Sequence, residues 1–241
     1  MLIRRLNNHV CRNLFFTARQ VIRLALIQTS HMNKFICTII WLAISCCAHA
    51  QTHDFSIIKS AEWVIPKNDT LDFAFDKYEG SSALILKRKI QNSKSASIAY
   101  PKDLKFRDGT IECDIASPAG PAGYIGLAFR IMDAHHYETI YFRPGGSGTI
   151  DAVQYMPEKK SEFDWWDYED KKYQAIDTLP MTGWFHVKVV VRGNTMTVYT
   201  NNKPNPVYIY KNLDAAITRG SVGFWLGNSS SGAYKNLVVS M

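Results

Sequence analysis

From residue 83 onward, apolar and polar positions alternate in runs of four to eight residues, and Gly, Asn, Asp or Pro separates the runs. A period of two belongs to a strand with one buried face, because successive side chains leave a strand on opposite sides. The pattern predicts strands at 83–87, 96–100, 110–115, 124–131, 137–143, 151–156, 184–192, 195–200, 207–210, 221–227 and 237–239. In the third of these, Ile111, Cys113 and Ile115 share one face and Thr110, Glu112 and Asp114 the other. The fourth turns Ile125, Leu127, Phe129 and Ile131 inward and Tyr124, Gly126, Ala128 and Arg130 outward. In the 184–192 segment Phe185, Val187, Val189 and Val191 line one face, with Trp184, His186 and Lys188 opposite. Gly193-Asn194 then turns the chain into 195–200, the clearest hairpin in the sequence. Ten or so strands without crossover helices predict an all-β fold, a two-sheet antiparallel β-sandwich, in one domain over 51–241.

The first 50 residues follow another pattern. Met32-Asn33-Lys34 leads into an apolar run over 35–44, then Ala48-His49-Ala50. A short basic start, an apolar stretch and an A-x-A site make a secretory signal over 32–50, with cleavage after Ala50. The run is too short to span a membrane, which takes roughly 20 residues. Neither Cys46 nor Cys47 follows the Leu-x-Gly/Ala context of a lipidated cysteine, so plain cleavage and a secreted or periplasmic product are expected over a lipoprotein. Residues 1–31, with five arginines and no acid, read as an upstream extension; a transit peptide is the competing reading.

This division changes the electrostatics. The whole chain has 28 Lys+Arg and 21 Asp+Glu; residues 1–50 contribute six basic residues and no acid. That leaves 28 − 6 = 22 basic against 21 acidic residues, so the global charge gives no footprint for nucleic acid. Of five cysteines only Cys113 lies beyond the leader, so an intramolecular disulfide is excluded and the core alone must hold the fold. Cys113, on the apolar face of its strand, reads as a small core hydrophobe.

Phe106-x-Asp108-Gly109-Thr110-Ile111-Glu112-x-Asp114, Gly126-Leu127-Ala128-Phe129-Arg130, Trp184 to Val189 and Gly220-Ser221-Val222-Gly223-Phe224 resemble concanavalin A-like lectin/glucanase (LamG-like) jelly rolls. Tyr137-Glu138, Tyr141-x-Arg143-Pro144 and Asp151-Ala152-Val153-Gln154-Tyr155 add a likeness to exported bacterial 3-keto-disaccharide hydrolase and family 16 glycoside hydrolase-like proteins. The resemblance runs from about Trp63 to the C-terminus and implies a jelly roll whose concave sheet is a groove for carbohydrate. It also implies a Glu-x-Asp-x-Glu catalytic strand; here Glu112 and Asp114 are present and Ala116 replaces the third acid.

Candidate chemistry follows from residue type. Glu112 and Asp114 leave one strand face ~6.5 Å apart, near the spacing of a retaining carboxyl pair, although two solvent-facing strand acids look the same. Arg130, Tyr141 and Arg143 form a candidate fork for sugar hydroxyls, with Arg130 and Arg143 expected at the ends of adjacent strands. Glu138, Asp151 and Gln154 lie close in sequence and would complete a polar site, though alternation puts Glu138 on the apolar side. His186, beside Trp184 and Lys188, is a candidate general base. Residues 158–173 hold six acids and five aromatics, among them Phe163, Trp165 and Trp166. Such rings either pack on the sheet or stack on sugars, and the acids would bind hydroxyls, or a structural calcium if carbonyl oxygens join them. No zinc spacing, G-x-S-x-G or phosphate loop occurs, and Gly145 to Gly148 reads as a flexible hairpin tip. No cofactor is expected.

Two expectations stand. The first is an exported, monomeric, glycosidase-like enzyme with Glu112, Glu138, Asp151 and His186 as candidate catalytic groups. Arg130, Tyr141, Arg143, Gln154, Trp165 and Trp166 would be its substrate contacts. The alternative is a non-catalytic, lectin-like glycan-binding module, which needs only the aromatics and the hydroxyl-binding fork. A protein-binding sandwich is a third reading, disfavoured by an aromatic groove.

Overall fold

The period-two segments pair into two antiparallel sheets that face each other across one core. The structure, a computed structural model, describes residues 50–56, 59, 62–66, 71–89, 96–159, 165–228 and 230–241. The expected extension (1–31), the signal segment short of Ala50, and Phe163 lie outside the described residues. In chain order the strands are β1 (Thr52–Phe55), β2 (Trp63–Val64), β3 (Leu71–Tyr78), β4 (Ser81–Arg88) and β5 (Ser97–Pro101). Next come β6 (Gly109–Ala116), β7 (Ile125–Asp133), β8 (His136–Phe142), β9 (Val153–Glu158) and β10 (Gln174–Ala175). The set closes with β11 (Trp184–Arg192), β12 (Thr195–Thr200), β13 (Tyr208–Tyr210), β14 (Ser221–Leu226) and β15 (Ser231–Ser240). One sheet runs β13-β12-β11-β6-β15-β4-β3, with β1 added on β15; the other runs β10-β9-β8-β7-β14-β5-β2. The all-β jelly-roll sandwich expected from the alternation is the fold observed.

The inward faces are those the alternation marks. Ile111, Cys113, Ile115, Phe185, Val187, Val189 and Val191 are all buried on one sheet, opposite Leu127, Phe129, Ile140, Phe142, Phe224 and Leu226 on the other. Aromatic pairs cross between the sheets: Phe142 meets Phe185 edge-on at 5.6 Å, Phe224 stacks on Tyr234 at 4.6 Å, and Tyr155 stacks on Tyr210 at 4.2 Å. Such pairs add about 0.5–1.5 kcal/mol each beyond the area they bury. Burial pushes the Cys113 thiol well above its ordinary value, so it stays protonated and inert.

Three local expectations change. Arg130 adopts φ +52, and Ser221 pairs with Ile131 while Val222 pairs with Phe129, so Arg130 is the extra residue of a β-bulge. The bulge reverses the alternation, and Ile131 packs on the outer face of its sheet rather than in the core. The strand expected from residue 151 begins at Val153, after a 3₁₀ turn over Ile150–Ala152. Gly145 and Gly146 are not a free tip: a Cβ on Gly145 would lie 2.5 Å from the Pro121 carbonyl oxygen, so this turn is packed against a neighbouring one.

Candidate functional site

The outer face of the seven-stranded sheet is apolar, which the outer face of an isolated sandwich need not be. The register sets its side chains in rows across the strands. One row is Gln154, Tyr141, Gly126, Trp225 and Ile98; the next holds Met156, Thr139 and Ala128. Ile98, Ala128, Ile131, Tyr137, Tyr141, Met156 and Trp225 form a second apolar cluster, separate from the core, with Tyr100, Tyr124, Trp165 and Tyr168 packed against it. Small residues make the middle of this face possible. A Cβ on Gly126 would fall 2.2 Å from the Ile140 carbonyl oxygen, and above it Tyr141 and Trp225 stack at 5.0 Å. Thr139 Oγ1 is buried on the same face without a hydrogen-bond partner.

Along the β9 side runs a wall made by the 3₁₀ turn Trp165–Tyr168. Gln154 ties it down: its Oε1 accepts from the Tyr141 hydroxyl and its Nε2 donates to the Tyr168 carbonyl at 2.8 Å. Gln154 is fully buried, so it joins floor to wall. Trp165 lies ring to ring with Trp166 at 3.8 Å, and Trp166 is 54% exposed. Between wall and floor is a recess of about 130 Å³, lined by Tyr124, Tyr141, Arg143, Trp165, Trp225 and Asn228 with Gly227. The Arg143 guanidinium lies 5.2 Å from the centre of the Tyr124 ring and 3.8 Å from Asp151. Burial pushes the Tyr141 phenol above its ordinary value, so its hydroxyl is a lasting donor.

The structure brings Tyr141, Arg143, Gln154, Trp165, Trp166 and Asp151 to this end of the sheet and places the other candidates elsewhere. Arg130 is the main correction. It stands at the opposite end of the β7–β8 hairpin from Arg143, not beside it, because Ile125 pairs with Phe142 while Arg130 sits near the tip. Its guanidinium is 4% exposed and donates to Arg107 O at 2.9 Å, Gly193 O at 2.6 Å, Ile217 O at 3.4 Å and Asp108 Oδ1 at 3.2 Å. Glu138 faces the core, fully buried, and accepts from the Tyr155 hydroxyl at 2.7 Å and the Asp214 N–H at 2.8 Å. Burial raises its carboxyl to about 7 against those two bonds and the pull of Arg130. Glu112 and His186 lie on the outer face of the other sheet, where Glu112 meets Lys188 at 3.0 Å and His186 meets Asp114 at 2.9 Å. Asp114 also accepts from Asn236 Nδ2 at 2.7 Å. Among the described residues no group of three or more His, Cys, Asp or Glu side chains is placed to hold a metal ion, and no helix is long and apolar enough to cross a membrane.

Tyr124 lies on the outward face that the alternation marks, whereas Trp225 was not singled out from the sequence. Trp225 lies in Ser221 to Leu226, where both faces of the strand are buried, so nothing in the pattern separates the core-facing Phe224 from the outer-facing Trp225.

Solved structures share this architecture. A carbohydrate binding module, CBM66, from Bacillus subtilis superposes with a TM-score of 0.54 at 16% identity, over 74% of this chain and 95% of that one. Bacillus licheniformis beta-glucanase matches at 0.50 and 9% identity, over 81% and 99%. A Bacillus subtilis protein described as having a galectin-like fold matches at 0.50 and 12%, over 78% and 94%. Identities this low establish the fold alone, a two-sheet jelly-roll sandwich. No protein-family model matches the sequence, and no curated protein resembles it at the level of sequence.

Proposed function

We propose that the chain is a glycan-binding sandwich that holds sugar rings against the outer face of its seven-stranded sheet. One observation carries this reading: the recess joins aromatic faces, Tyr124, Trp165 and Trp225, to a single guanidinium, Arg143, with no pair of carboxyls. A sugar ring presents an apolar C–H face and a rim of hydroxyls. Aromatic walls bury the first, and a planar guanidinium fork donates to adjacent hydroxyls. The four candidate catalytic groups are split among three places, none of them the recess: Glu138 in the core, Glu112 and His186 together on the opposite sheet, Asp151 at the rim. That dispersal favours binding over glycosidic cleavage. The carbohydrate-binding module and the beta-glucanase among the structural neighbours fit the same ligand class. One chain supplies the whole recess, so a monomer suffices. The signal-like segment 32–50 would place this binding outside the cytoplasm, and strand pairing starts just after it: Gln51 N–H donates to Met241 O at 3.0 Å.

The test is a calorimetric binding panel of purified protein against soluble glycans, with product analysis in parallel. Binding without product, weakened about ten-fold by Trp165→Ala or Arg143→Ala, is the expected result and corresponds to about 1.4 kcal/mol. Released sugar that disappears in Glu112→Gln or His186→Ala would sink the binding-only reading and restore the enzyme.

A further inference from the structure

A second groove opens at the other end of the same sheet face, and its charge bears on the ligand. It holds about 610 Å³ between β5, the ends of β7 and the start of β14, lined by Tyr100, Lys102, Lys105, Met132 and Arg219 around Ile131. Ile131 and Tyr100 also belong to the aromatic face, so groove and face are continuous. The fold assembles the cations there. Phe106 and Gly220 form an isolated bridge, with Phe106 N–H donating to Gly220 O at 2.7 Å and Gly220 N–H to Phe106 O at 2.9 Å. Lys105 and Arg107 flank that bridge on one strand and Arg219 on the other. Gly220 also lets β7 lie close against this segment, since a Cβ there would meet the Ile131 carbonyl oxygen at 2.1 Å.

Among the described residues Arg107 meets Asp108 at 3.6 Å, which leaves Lys105 and Arg219 as the cations of the groove without an acid against them. Asp103 is the one acid lining the groove. Asp133, near Tyr100, is engaged by the His136 ring at 2.8 Å and the His135 N–H at 2.8 Å. Among the described residues Lys105 and Arg219 make no ion pair. The domain outside the leader is nearly neutral, 22 basic against 21 acidic residues, so the excess is local. Like charges gathered across a bridge repel one another, and an anion between them relieves that repulsion.

We infer that the ligand is an anionic glycan, its carboxylate or sulfate groups held by Lys105 and Arg219 while a ring stacks in the Tyr124–Trp165 recess. This rests on the glycan-binding reading above. From Ser221 to Gly227 along β14 is roughly 20 Å at the rise of a strand, which requires an oligosaccharide rather than one sugar.

The experiment compares purified full-length protein and the double variant Lys105→Glu/Arg219→Glu, both exposed positions, on four probes. These are a polyuronate, a sulfated glucan, an uncharged glucan and a single-stranded oligonucleotide, each at 50 and 300 mM salt. The expected result is at least ten-fold tighter binding of one anionic glycan than of the uncharged one, and about ten-fold weakening at high salt. The double variant loses that advantage while its affinity for the uncharged glucan and its melting temperature stay unchanged. The polyuronate and sulfated arms separate carboxylate from sulfate. Equal affinity for charged and uncharged glucan, indifferent to the double variant, overturns the inference and leaves the glycan-binding reading standing. Anionic binding lost in the double variant but unmoved by Trp165→Ala sustains the groove and removes the recess. Equal binding of the oligonucleotide overturns the glycan class, and no binding to any glycan overturns both readings.

Discussion

Glu138 is the residue whose chemistry departs furthest from its type. Burial in the core raises its carboxyl from 4.5 to about 7, although Tyr155 and the Asp214 N–H bond to it. A raised acid binds its proton more tightly folded than unfolded, so the folded state holds more protons across the interval between the two values. Stability therefore falls as pH rises from about 4.5 through 7, and levels off above it. A shift of this size corresponds to on the order of 3 kcal/mol. Thermal melts from pH 5 to 8 should show this decline in the native protein and a flatter profile in Glu138→Gln, whose one oxygen can accept from the Asp214 N–H while its NH2 donates to the Tyr155 hydroxyl. Identical slopes in the two proteins would remove Glu138 as the source. Its position was legible from the alternation, which put it on the apolar side of β8. Its partners were not: Tyr155 is on the neighbouring strand, but Asp214 lies 76 residues away in a segment without a pattern.

At the scale of elements, the β7–β8 hairpin shows where a period-two reading stops working. Alternation through Ile125, Leu127 and Phe129 gave the correct face, because each residue steps once across the sheet. The left-handed φ at Arg130 breaks the count, and no residue type announces it, since glycine or asparagine would be the usual occupant. The bulge turns the Arg130 guanidinium onto the carbonyls of Arg107, Gly193 and Ile217, three segments that no local pattern connects. Arg130→Lys keeps the charge but loses the planar fork, so at least two of these carbonyls lose their donor. At about 1–2 kcal/mol for each broken buried bond, the variant should melt roughly 5 °C lower in a domain of this size. Amide exchange at the β11–β12 turn should quicken as well. An unchanged melt with unchanged exchange would mean the clasp contributes nothing. The edge strand β3 escaped the sequence for a different reason. Its Phe73 is 52% exposed and its neighbours are mostly exposed, so hydrophobicity there does not track burial.

Across the sandwich, closure depends on strands from the two ends of the domain, β1 at Thr52–Phe55 and β15 at Ser231–Ser240. β15 carries three partners: its first half pairs with β4, its second half with β1, and β6 runs along its other side. β1 is only four residues long, yet Phe55 packs on the core and Thr52 to Phe55 cover the second half of β15. The sequence supplied the layers and their inner faces through the repeated period of two. It could not supply this order, because the pairing of residue 52 with residue 240 is set by which edge remains open once the longer strands have paired. Removing residues 51–55 should therefore do two things. It should lower the melting temperature, since Phe55 and a row of ladder bonds are lost, and it should expose a flat edge over Leu237 to Ser240. Open edges of this kind template pairing with a second chain. The expected readout is a lower melt together with concentration-dependent dimers or aggregates in light scattering. The glycan binding proposed for the recess should stay the same in the truncated protein, because the recess lies on the other sheet. A truncated protein that melts as before and stays monodisperse would show that β1 decorates the sandwich rather than closing it.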